Sequence, residues 1–104
     1  MALLDSLILD RERILAMFAR SGGTNVRVYG SVARREETEQ SDIDFLIALT
    51  PEKLSRPFVI QQALVAEMRQ DLEQLLNREV HIHVEEWLER QARKAILQST
   101  LVQL

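Results

Sequence analysis

Asp42 and Asp44 open the run Asp42-Ile43-Asp44-Phe45-Leu46-Ile47-Ala48-Leu49 and are separated by a single residue. Alternate residues of a strand point to the same face, so the two carboxylates project together. Aspartate is disfavoured in β structure, and two adjacent like charges repel. A divalent cation offsets both costs. Hard Mg²⁺ prefers carboxylate oxygens and completes its shell with water and substrate phosphates. Upstream, Gly30-Ser31 breaks an alternating segment. Glycine lets the main chain approach a ligand closely, and the N–H groups of a following helical turn favour an anion. The Ser31 hydroxyl either caps that turn or donates to a phosphate oxygen. One element offers phosphate donors and the next a metal site, an arrangement suited to Mg–triphosphate and in-line attack at the α-phosphorus, with one or two ions. Each piece alone has a commoner meaning: Gly-Ser as a turn, Asp-x-Asp as an Asx-turn or exposed strand start, Arg34 and Arg35 as solvated helix residues. Their combination carries the reading.

The elements that must position these residues follow from periodicity. Leu4, Leu7, Ile8, Ile14, Leu15 and Phe18 mark one face of a helix over residues 3–20, ended by Ser21-Gly22-Gly23. Val26–Tyr29 reads as a short strand, and Ser31 as the N-cap of a short helix through Arg35. Residues 36–41 form a polar loop. Residues 42–49 suit a buried central strand. Thr50-Pro51 caps and starts a turn of helix, and Pro57 starts a long helix whose buried stripe is Ile60, Leu64, Met68, Leu72, Leu75 and Leu76, ending at Asn77. Val80–Val84 alternates as a third strand, and residues 86–102 suit a last helix. The order α-β-α-β-α-β-α gives a small α+β domain, a sheet backed by helices.

The 104 residues fit one domain, residues 1–104, with no repeat or linker. Apolar residues make up 46% and charged residues 28%, an ordinary globular balance. The net charge of −3 argues against a dedicated nucleic-acid binder, which needs clustered Lys and Arg to displace counterions. Without cysteine there is neither a disulfide nor a Cys-ligated zinc. No apolar run reaches the ~18 residues of a membrane span. Asp5 sits where a signal peptide carries positive charge. A cytoplasmic location is the expectation.

Gly30-Ser31, ten intervening residues and Asp42-x-Asp44 resemble the signature of the DNA polymerase β-like nucleotidyltransferase superfamily. The longer run Tyr-Gly-Ser-Val-Ala-Arg … Ser-Asp-Ile-Asp-Phe-Leu-Ile is similar to its minimal branch, the MNT proteins, and the likeness extends over most of the chain. It implies a mixed β-sheet flanked by helices. It implies catalytic roles for Ser31, Asp42 and Asp44, Mg²⁺ on Asp42 and Asp44, and triphosphate contacts from Gly30 and Ser31, with Arg34 matching a basic position often seen after Gly-Ser. Many MNT proteins are antitoxins paired with a HEPN-domain ribonuclease toxin, and members of that group transfer AMP from ATP to a tyrosine of the toxin. The resemblance therefore implies an adenylyltransferase antitoxin in a hetero-oligomeric complex with its toxin. Two other functions compete: an antitoxin that acts by binding only, and a small-molecule nucleotidyltransferase, which resembles longer chains with an added substrate domain.

The third strand departs from the family, which places a carboxylate where His81 stands. Imidazole is a poor ligand for Mg²⁺ and better tolerated by Mn²⁺. His81 could instead serve as base for the attacking hydroxyl. Glu79 shares the facing of His81 and His83 and could restore a carboxylate. His81-x-His83 lacks the further ligands that zinc requires. Near the end, Leu97, Leu101, Val102 and Leu104 exceed what so small a core covers easily, which favours a protein-binding role for part of the last helix.

Overall fold

The computed structural model describes residues 2–104. Two short helices, α1 (Leu3–Leu9) and α2 (Arg11–Arg20), lead into β1 (Gly23–Tyr29) and the single-turn α3 (Gly30–Ala33). Next come β2 (Ile43–Leu49), α4 (Pro51–Leu54), the long α5 (Phe58–Leu76) and β3 (Val80–Val84). A 3₁₀ turn (Glu85–Trp87), α6 (Arg90–Leu97) and β4 (Val102–Gln103) complete the chain. The sheet order is β3-β2-β1-β4. β1 runs antiparallel to β2 and to β4, while β2 and β3 are parallel, as the α4–α5 crossover between them requires. The mixed sheet flanked by helices matches the expected class.

One face of the sheet builds the core. Val26 and Val28 of β1, Ile43, Phe45 and Ile47 of β2, and Val80 and Val84 of β3 are buried there with Ile14 and Phe18 of α2 and Met68 and Leu72 of α5. Phe18 meets Phe45 edge-on with ring centroids 5.3 Å apart, a favoured aromatic geometry. This packing anchors β2, which carries Asp44 and directly follows Asp42.

Several local outcomes differ from the sequence expectation. The first helix is two, because the chain leaves helical geometry at Asp10 (φ −95°, ψ 13°). The α5 stripe is rotated: Gln61, Val65, Met68 and Leu72 are buried, while Ile60 is exposed. Gln61 is accommodated because its amide donates to the carbonyls of Leu54 and Arg56 and accepts from the Trp87 indole. That satisfied polar group, not an apolar one, ties α5 to the turn after β3. The stop at Asn77 is as expected, with left-handed φ 51°. Thr50 caps α4 by accepting from the Lys53 N–H.

The expected helix over 86–102 is the largest error. Only Arg90–Leu97 is helical, and it buries no residue. Val102 pairs with Val28 and Gln103 with Arg27 in β4, Leu104 is buried in the core, and the Leu104 carbonyl accepts from the Arg11 guanidinium. Of the closing apolar residues only Leu104 is buried; Leu101 and Val102 are partly covered, and Leu97 stays exposed on α6. Strand pairing between residues as far apart as Val28 and Val102 is invisible to local periodicity. A Leu104→Ala variant should lose about 2 kcal/mol of stability, read as a lowered urea midpoint with unchanged slope.

Candidate active site

The opposite face of the sheet is polar near the strand ends, and register sets its pattern. Tyr29, Asp44 and His81 lie side by side across β1, β2 and β3; Arg27, Leu46 and His83 form the next row. The alternation that buries Ile43, Phe45 and Ile47 therefore forces Asp44 onto the face with Tyr29 and His81. Asp42 lies just before β2, so only Asp44 of the pair is a strand residue.

The turn at Gly30 closes on this row. Gly30 adopts φ +74°, and a Cβ there would sit 2.4 Å from Asp44 Oδ2. Both the conformation and the space demand glycine. Ser31 follows as a helical residue, but it is not the expected cap: Tyr29 occupies that position, and no side chain caps the turn. The Ser31 hydroxyl is spared that duty. Arg34 ends the turn with its guanidinium half exposed and paired with Glu36 at 3.1 Å.

His81 stands at the centre of the acids. Its Nε2 lies 3.3 Å from Asp42 Oδ2 and 3.4 Å from Glu79 Oε1, and its Nδ1 lies 3.8 Å from Asp44 Oδ1. Both His81 and Glu79 thus line the site, as their facing allowed. Burial lifts the Asp44 carboxyl above its usual range; Asp42 adds to the lift, and His81, His83 and Arg34 oppose it. Tyr29 was missed, and so was its contact with His83, whose facing alone was read. Tyr29 reaches over β2 and meets His83 Nδ1 at 2.5 Å. Burial first, and then the Asp44 charge, push the Tyr29 hydroxyl up to about 12. Its place beside Gly30 in sequence was a signal, but its neighbour on β3 depends on register alone. An open cleft of about 420 Å³ adjoins the row, with Gln62, Arg69, His81 and His83 among its walls.

These residues fit a divalent cation. Carboxylates from Asp42, Asp44 and Glu79 converge around one imidazole, and the missing Gly30 side chain leaves the turn's main chain against Asp44. A cation held by the acids and phosphates held by the turn would be neighbours.

Residues 11–102 match the family model described as nucleotidyltransferase domain. Among solved structures, the chain is similar to one described as a minimal nucleotidyltransferase, at 36% identity and a TM-score of 0.76, covering 97% of this chain and 95% of that one. It is similar in fold to a toxin–antitoxin structure with AMP-PNP, at 14% identity and a TM-score of 0.68, covering 90% of this chain and 71% of that one. No curated protein matches the chain.

Gly30→Ala should cost about 1–2 kcal/mol from the left-handed backbone alone, and more from the clash with Asp44; denaturant melting reads the loss. Tyr29 is the only tyrosine, so its ionisation can be followed by ultraviolet difference absorbance. The folded protein should titrate near pH 12, against an ordinary value of 10.0. Between those values the unfolded chain holds fewer protons than the native one, so stability falls as pH rises through the window.

Proposed function

This chain belongs to the nucleotidyltransferase domain family, and from that premise we propose that residues 1–104 act as one minimal domain. The domain transfers AMP from ATP to a tyrosine of a HEPN-type toxin and so silences it. The observation that carries the reading is the close approach of the Gly30 turn to Asp44: phosphates held by that turn would lie next to a cation held by the acids. The fold likeness to a toxin–antitoxin structure with AMP-PNP supports the choice of partner and nucleotide.

In this reading Asp42 and Asp44 hold Mg²⁺, which when bound neutralises the triphosphate and the leaving pyrophosphate. Gly30 admits the phosphate chain close to the main chain, and the Ser31 hydroxyl donates to a phosphate oxygen. Arg34, whose charge is felt at Asp44, adds a positive field at the same end of the sheet. The acceptor phenol oxygen forms a bond to the α-phosphorus, the bond to the bridging oxygen breaks, and pyrophosphate departs in line. The phenolic proton leaves at the open polar face. Position and charge, not covalent participation, do the work.

A second reading is favoured by His81, which stands in register with Asp44 where the family places a carboxylate. If that exchange has cost the activity, the protein neutralises its toxin by binding alone. Labelled ATP, Mg²⁺ and a candidate toxin separate the two. Transfer should be observed with the intact chain and fall by about 100-fold or more with Asp42→Asn. A stable complex with no transferred label would leave binding as the whole function.

A further inference from the structure

Glu79 and His81 lie on the same strand face as His83, and His81 is in direct register with Asp44. Asp42, Glu79 and His81 each offer one donor atom, and the three atoms lie within 4.8 Å of one another. The His81 Nε2 separations of 3.3 Å to Asp42 and 3.4 Å to Glu79 are long for charge-assisted hydrogen bonds, which run about 2.7–2.9 Å. They match the spacing of two ligands on one ion: bonds of about 2.1 Å at octahedral or tetrahedral angles place donors roughly 3.0–3.4 Å apart. All three side chains are partly exposed, and the adjoining cleft gives access. Arg69, 3.6 Å from the same Glu79 oxygen, is a surface partner of the kind that a divalent ion displaces.

We propose that Asp42, Glu79 and His81 form an imidazole-containing metal position that selects Mn²⁺ over Mg²⁺. The proposal rests on the nucleotidyltransferase reading for its purpose and on these three side chains for its chemistry. Mg²⁺ takes oxygen ligands almost exclusively, whereas Mn²⁺ accepts imidazole nitrogen beside carboxylate oxygen. Exchanging a carboxylate for His81 therefore lowers the affinity for Mg²⁺ more than that for Mn²⁺. Asp42 belongs to both sets of donors, so this position shares an aspartate with the Asp42–Asp44 pair. A His81 nitrogen bound to an ion cannot also take the acceptor's proton, so the proposal excludes His81 as the base while metal is present.

The test is electron paramagnetic resonance of Mn²⁺ added to the intact, tag-free chain without nucleotide. Bound Mn²⁺ should show coupling to ¹⁴N, and Mg²⁺ should displace it only at concentrations at least tenfold higher. His81→Asp should abolish the nitrogen coupling and bring the Mn²⁺ and Mg²⁺ affinities together by about tenfold. His83→Gln should keep the coupling, which separates the chain's two histidines. Glu79→Gln, a change at an exposed side chain, should weaken Mn²⁺ severalfold while the coupling persists. Bound Mn²⁺ without nitrogen coupling, or an unchanged Mn²⁺/Mg²⁺ preference in His81→Asp, overturns the proposal. Nucleotide transfer assayed in parallel keeps the two readings apart. Nitrogen coupling without transfer leaves the metal position standing and sinks the adenylyltransferase; transfer with Mg²⁺ and no coupling does the reverse.

Discussion

Packing places Asp44 on a strand whose neighbours Ile43 and Phe45 are fully buried, and it places Gly30 against it. The resulting carboxylate is partly desolvated, sits beside Asp42, and has its proton affinity raised by both effects. A fold under selection for stability alone would not concentrate negative charge there. The core on the far face, built on Phe18, Phe45, Met68 and Leu72, supplies the rigidity that holds this unfavourable arrangement in place. The two faces of β2 are thus complementary: one contributes cohesion, the other gathers negative charge that a bound cation would offset.

The legible part of this architecture was local. Gly30, Ser31, Asp42 and Asp44 are close in sequence, and their residue types state their chemistry. The alternation of Val80–Val84, carried back one residue, is enough to put Glu79, His81 and His83 on one face. The helix bounds at Pro57 and Asn77, and the cap at Thr50, follow from side chains that act on their own neighbours.

What escaped was non-local. Tyr29 meets His83 only because β1 and β3 flank β2 in a particular register. Gln61 is buried against an apolar expectation because Leu54, Arg56 and Trp87 supply its partners. The stretch after Trp87 has a helical composition throughout, yet its end is drawn into the sheet by the open side of β1. There, backbone pairing and the burial of Leu104 outweigh helix propensity. The helix that does form, Arg90–Leu97, buries none of its residues and remains the least integrated element of the chain.

The pairing of β4 with β1 also closes one flank of the sheet. Without Val102 and Gln103, β1 would present unpaired N–H and C=O groups able to recruit a strand from another molecule. The two-residue strand is therefore a seal as well as a structural element: losing it would open that flank to edge-to-edge association and leave the polar row on the other strands in place.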